Sequence, residues 1–82
     1  MGYEPITYDP DADVLYVQLG PGPVARTKSL GDFRLIDYSA DGAVVGVEFI
    51  DATAGIDLRD LPFRRRVEQL IDDSGHHFKV FV

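Results

Sequence analysis

Two carboxylates, Asp37 and Glu48, are the residues whose type and spacing best suit chemistry. They lie on either side of a hairpin signal in the segment YSADGAVVG. In the resulting antiparallel pair they are diagonal neighbours on one sheet face, roughly 7–8 Å apart at the backbone. Gly46 lies beside them and leaves a notch, where two carboxylates could act as an acid–base pair or bind a metal ion. The alternative is a cross-strand charge ladder, with Arg26 or Lys28 supplied by a neighbouring strand.

Three alternating aspartates, Asp9, Asp11 and Asp13, raise a second chemical question. A calcium loop of the EF-hand type needs a glycine at its sixth position and a glutamate at its twelfth. Val14 and Gly20 stand there instead. Short carboxylates after Asp-Pro also bond readily to nearby backbone N–H groups. The segment therefore favours a turn over a divalent-ion site.

The remaining reactive residue types offer no catalytic arrangement. The chain has no cysteine, which excludes disulfides and thiolate chemistry. His76 and His77 are adjacent, so in a strand they point to opposite faces. No serine stands in a nucleophile-elbow context. We predict no cofactor and no metal, and the pattern argues against an enzyme more than for one.

Turn residues separate short apolar runs over the first two-thirds of the chain, which predicts antiparallel β-structure. Asp41-Gly42 fits a two-residue type I′ turn, because both central residues of that turn need a positive φ. The turn sets a register in which Tyr38 lies opposite Val45 and Ile36 opposite Val47. The same register places Arg34 opposite Phe49, Asp37 opposite Gly46 and Leu35 opposite Glu48. Strands are predicted near 3–8, 13–19, 24–29, 33–38 and 43–51.

The last third predicts a helix and a final strand. Apolar residues at the spacing i, i+4, i+7 and i+8 form one helical stripe, which comprises Phe63, Val67, Leu70 and Ile71. Asp60 is the expected N-cap, Pro62 fits the first turn, and Gly75 ends the helix. The strand that follows is apolar on both faces and pairs with an earlier strand or with another chain. Its candidate interaction residues are Phe78, Val80, Phe81 and Val82.

These elements predict one α+β domain over residues 1–82: a mostly antiparallel sheet of five to six strands, one C-terminal amphipathic helix packed on it, and a terminal strand. Its length suits one domain, and 45% apolar residues suffice for a core. No signal peptide or membrane span is visible, and with the lack of disulfides this favours a cytoplasmic protein. The formal net charge of −6 argues against nucleic acid, although Arg64 and Arg65 lie in a short arginine cluster that could contact an acidic partner.

The chain also resembles a known family, that of the domain of unknown function 2283. The resemblance lies in YDPDADVLYVQL, PVARTKSL and LIDYSADGAVVGVEFIDA, over roughly residues 8–52. It implies a small antiparallel β-core in a prokaryotic protein and no established activity. Members are sometimes encoded beside small toxin-like proteins, which implies an antitoxin or partner-binding role.

Three functions follow from these observations. The first is a non-catalytic protein-interaction module that forms a homodimer and binds a small basic, toxin-like protein, since an acidic surface complements a basic one. The alternative is a ligand-binding protein, metal-binding protein or enzyme that uses Asp37 and Glu48 beside Gly46, together with Tyr16 or Tyr38. A third function is nucleic-acid binding through the arginine cluster near residues 59–66.

Overall fold

The computed structural model describes residues 5–82 and shows an α+β fold in which five strands form one antiparallel sheet. The strand order is β1-β2-β5-β4-β3. Two further strands form a separate parallel pair, and one α-helix lies between them in sequence. The bounds are β1 Ile6–Asp9, β2 Val14–Gln18, β3 Arg26–Ser29, β4 Arg34–Tyr38, β5 Val44–Ile50, β6 Ile56–Asp57, α1 Arg64–Ser74 and β7 Val80–Phe81.

The predicted strands and fold class are confirmed, apart from residues 3–4 of the first strand, which lie outside the described residues. The β4–β5 register is also confirmed at its centre, where Ile36 pairs with Val47 and Asp37 with Gly46. The type I′ turn is wrong. Gly42 has a φ of 88° but Asp41 is not among the residues with positive φ, and the Ser39 N–H donates to the Ala43 carbonyl at 2.9 Å.

A three-residue loop, residues 40–42, therefore replaces the predicted two-residue turn. Such loops are typically a type I turn closed by a left-handed residue, here Gly42. The longer loop moves the pairing by one residue, so Tyr38 lies opposite Val44 and not Val45. A bulge beside Asp37 then restores the predicted register.

The core lies between one face of the sheet and the segments that follow β5. Leu15, Val17, Ile36, Val47 and Phe49 alternate onto this face and are buried. They form one cluster with residues from the later segments, because alternate strand residues share a face. Those later residues are Ala52, Ile56, Leu58, Leu61, Val67 and Ile71.

The predicted helical stripe is confirmed. Val67 and Ile71 are buried, and Phe63 and Leu70 pack against the same cluster. Gly75 caps the helix in the left-handed conformation, as expected. The predicted N-cap is wrong, because Asp60 has a φ of 68° in a turn before the helix, and the cap residue is Phe63, which makes no side-chain cap hydrogen bond.

The terminal strand is confirmed at Val80–Phe81, and its partner is β6 of the same chain. The pairing is parallel. The Ile56 N–H donates to the Lys79 carbonyl at 2.7 Å, and the Leu58 N–H donates to the Phe81 carbonyl at 2.8 Å. Among the residues described, no helix is long and apolar enough to cross a membrane.

Replacing Ile71 by Ala should lower the free energy of unfolding by about 2–4 kcal/mol, because it opens a cavity where the helix meets the sheet. Urea unfolding followed by circular dichroism measures this. Arg65→Ala, on the exposed side of the helix, should change stability by less than about 0.5 kcal/mol. Equal effects of the two substitutions would contradict the assigned helix face.

Candidate functional site

The sheet face opposite the core, here called the open face, is the candidate site. The pairings define it, because the side chains that alternate away from the core all point to this side. Its side chains are exposed or half-buried, and β6 and β7 are not part of this sheet. Its residues on the five strands are Thr7, Asp9, Val14, Tyr16, Gln18, Thr27, Ser29, Leu35, Asp37, Gly46, Glu48 and Ile50.

Asp37 is held on the open face by two hydroxyl groups from the strands around it. The Tyr16 hydroxyl donates to Oδ2 at 3.0 Å, and the Thr27 hydroxyl donates to Oδ1 at 2.5 Å. Thr27 lies directly opposite Asp37 on β3. Both carboxylate oxygens therefore act as acceptors, and the carboxylate has a fixed orientation.

The predicted notch beside Gly46 is filled. A Cβ atom built on Gly46 would lie 2.2 Å from the Tyr16 hydroxyl oxygen and 2.8 Å from the Val17 carbonyl oxygen. Gly46 thus provides the room that the Tyr16 ring needs to reach Asp37. The sequence indicated Tyr16 or Tyr38 as a further residue of this site, and the structure places Tyr16 there, although it lies 21 residues from Asp37. What the sequence did not predict is that the Tyr16 ring occupies the space beside Gly46.

Glu48 lies in the centre of the open face, between Tyr16 on β2 and Leu35 on β4. Its side chain is half-buried. The alternative prediction, a ladder with Arg26 or Lys28, is wrong: these residues lie opposite Tyr38 and Ile36, and so on the other face. Within residues 5–82 the ion pair is Arg59–Asp57, with an N–O distance of 3.0 Å.

Charge is separated between the two sides of the sheet. Asp9, Asp37 and Glu48 alternate onto the open face, whereas the basic strand residues Arg26, Lys28 and Arg34 alternate onto the other side. The remaining basic residues belong to segments after β5: Arg59, Arg64, Arg65, Arg66 and Lys79. The described part of the open face therefore has negative charge without compensating cations.

The aspartates between β1 and β2 form a turn, as the sequence predicts. Asp9 Oδ1 accepts from the N–H groups of Asp11 at 3.0 Å and Ala12 at 3.3 Å. Asp13 does more than the sequence predicts. Its carboxylate accepts from the Thr53 hydroxyl at 2.7 Å, the Thr53 N–H at 3.1 Å and the Tyr8 hydroxyl at 2.7 Å.

Asp13 thereby ties the first hairpin to the segment after β5. The hydrogen bonds from Thr53 and then Tyr8 lower the pKa of the Asp13 carboxyl, because they favour its charged form. The hydrogen bond between Tyr8 and Asp13 also raises the pKa of the Tyr8 hydroxyl. The backbone of Asp13 is also in the left-handed conformation, with a φ of 56°. No local pattern signals this contact, since Thr53 is 40 residues away.

The predicted interaction residues lie away from the open face. Arg64 and Arg65 are exposed in the first turn of α1, where a positive charge meets the unfavourable end of the helix dipole. Arg59 is separate from them, because it bonds to Asp57 through two nitrogens. Phe78 packs edge-on against the Tyr8 ring, with centroids 5.2 Å apart.

A cleft of about 270 Å³ lies where β4 and β5 approach the terminal strand. Phe33 and Phe81 form part of its wall, together with Arg34. The Arg34 Nη1 donates to the Arg59 carbonyl at 2.7 Å, which fixes the guanidinium. Gly55 contacts Phe81 so closely that an added Cβ would lie 2.2 Å from the ring. Within the described chain, no group of three metal-ligating side chains comes together.

The fold and this geometry define a small α+β protein with one packed and one uncovered, acidic sheet face. A family model described as "Protein of unknown function (DUF2283)" matches residues 5–52. The chain belongs to this family, as the sequence resemblance indicated. The matched region comprises the five-stranded sheet and the start of the turn after it. No curated protein and no solved structure gave a significant match.

Gly46→Ala should lower the free energy of unfolding by about 1–3 kcal/mol, because the added methyl group overlaps the Tyr16 ring and a backbone oxygen. Thermal unfolding measures this. Gly22→Ala is the control, since a Cβ there meets no atom within 4 Å. If Gly46→Ala left the free energy of unfolding unchanged, Tyr16 would not fill this space.

Asp13→Asn should reduce the loss of stability in acid. A lowered pKa means that the carboxylate stabilises the folded state above about pH 3.9, and that this contribution is lost as the pH falls through the lower folded-state pKa. Asn tolerates the left-handed backbone, so the charge is the main change. Urea midpoints measured from about pH 6 down to about pH 2.5 test this.

Asp11→Asn is the matched control for that experiment. Asp11 lies in the same turn, but among the described residues its carboxylate makes no hydrogen bond or ion pair. The Asp11→Asn substitution should leave the pH dependence of stability unchanged. If the stability of Asp13→Asn changed with pH in the same way as that of the wild type, the role assigned to Asp13 would be wrong.

Proposed function

We propose that this chain is a non-catalytic protein-interaction module whose open face binds a small basic protein. The observation that carries the proposal is the separation of charge across the sheet. A surface with Asp37 and Glu48 and no described cation attracts a positively charged partner and repels nucleic acid.

The geometry of Asp37 supports binding over proton transfer. Both of its oxygens already accept hydrogen bonds from hydroxyl groups, which fixes the orientation of the carboxylate. An acid–base pair would also need a space for substrate beside Gly46, and Tyr16 fills that space. An oriented carboxylate suits recognition of an arginine or lysine in a partner.

Apolar residues on the same face support a protein partner over a small ion. Val14, Leu35 and Ile50 are only half-buried and surround Glu48, with Val14 on β2, Leu35 on β4 and Ile50 on the same strand as Glu48. The aliphatic stems of lysine and arginine can pack on such residues while their charged ends reach the carboxylates. The face thus combines apolar contact area with charge, as stable interfaces do.

An antitoxin-like role is a specific form of this proposal, with a small basic toxin as the partner. The family resemblance supports it through the toxin-like neighbours of some members. In that role the module would neutralise its partner by covering a basic surface, so no catalytic group is needed.

Affinity capture from the native organism, using wild type and two charge-reversed variants, tests the proposal. Glu48→Lys reverses the central charge of the open face and should abolish capture of a small basic protein recovered in near-equal amounts with wild type. Asp72→Lys makes the same change on an exposed position of the helix and should retain it. Capture should also weaken with added salt.

Circular dichroism of both variants confirms that each remains folded. Recovery of the same partner with Glu48→Lys would place the interface elsewhere. Failure of wild type to capture any small basic protein would overturn the proposal.

A further inference from the structure

The outer edge of β7 has backbone groups that no described segment uses. In its parallel pairing with β6, the carbonyls of Lys79 and Phe81 face β6 and accept its N–H groups. Alternate residues of a strand point their backbone groups to opposite edges. The N–H and C=O of Val80 therefore point away from β6, towards an edge that lacks a further strand within residues 5–82.

Large apolar side chains are exposed beside this edge. Val82 is 69% exposed, and Phe81 is 36% exposed. Phe33, which is 57% exposed, lines the same cleft as Phe81. Exposed apolar groups next to an unpaired strand edge are a typical site of association between chains.

Local charge identifies a second copy of the chain as the occupant. Each copy has a net charge of −6, so two copies repel wherever acidic surfaces meet. The open face would oppose carboxylates to carboxylates. The segment HHFKVFV, in contrast, contains no carboxylate side chain, and the nearby Asp57 is paired with Arg59. Two copies can therefore approach here without like-charge contact between carboxylates.

We infer that this chain forms a twofold homodimer in which β7 pairs antiparallel with β7 of a second copy. The pairing extends the two-stranded sheet to four strands, in the order β6-β7-β7-β6. It does not rest on the proposed basic partner, because it uses a different surface.

A twofold axis at Val80 satisfies the free backbone groups. Val80 of each copy then exchanges its N–H and C=O with Val80 of the other, as in a hydrogen-bonded antiparallel pair. Lys79 lies opposite Phe81 of the second copy. Within one chain the Lys79 ammonium already lies 5.2 Å from the Phe81 ring centroid, so the same cation–π attraction is available across the interface.

Sedimentation equilibrium of the full chain, without any partner, tests this inference. Wild type should show a mass of twice 9.1 kDa. Val82→Lys should raise the dimer dissociation constant by about tenfold or more, because lysine at an edge opposes strand pairing. Val24→Lys is the control. It alters another exposed valine (47%) outside the helices and strands and should leave the dimer unchanged.

Amide hydrogen exchange locates the interface. The Val80 amide should be protected in the dimer and exchange at least about tenfold faster in Val82→Lys, while the Leu58 amide, bonded within the chain, stays protected in both. A monomeric wild type would overturn the inference, as would a dimer with an unprotected Val80 amide. Glu48→Lys should leave the dimer intact, which separates this outcome from failure of the proposed partner interaction.

Discussion

The structure depends on one geometric constraint: a single helix and a few connecting segments must cover a five-stranded sheet. Strands lie about 4.8 Å apart, and a helix is about 10 Å wide. The described residues that follow β5 therefore suffice to bury one face of the sheet but not both. The core residues alternate with those on the open face, so burial on one side leaves the other side uncovered.

The polar contacts of the fold follow from that alternation. Asp37 and Tyr16 lie on the same side of the sheet, the open face. Their hydrogen bond is partly buried, so leaving either group without a partner there would cost free energy. Asp13 stands at the border between the first hairpin and the segment after β5 and bonds to Thr53 across it. Both carboxylates act mainly as acceptors. Their positions explain why Asp37 and Asp13 accept hydrogen bonds from hydroxyl groups.

The molecule has two surfaces of different electrostatic character. The open face has carboxylates and half-buried aliphatic residues, whereas the edge of β7 is apolar and has a lysine but no carboxylate side chain. A strongly acidic chain cannot associate with itself through its acidic face without repulsion. The proposed module, with a basic partner on one surface and a second copy on the other, would use this difference, since each surface disfavours the occupant of the other.

The sequence by itself determined the local elements and much of their pairing. Turn residues set the strands, the apolar stripe set the buried side of the helix, and Gly75 set its end. The centre of the β4–β5 register was also predictable, because the bulge cancels the wrong loop length at residues 40–42. Only the tertiary structure decided the rest. Tyr16 fills the space at Gly46, Asp13 reaches Thr53, and Thr27 faces Asp37 in place of a cation. These contacts join residues that are distant in sequence, so they depend on strand order and packing, which no local pattern encodes.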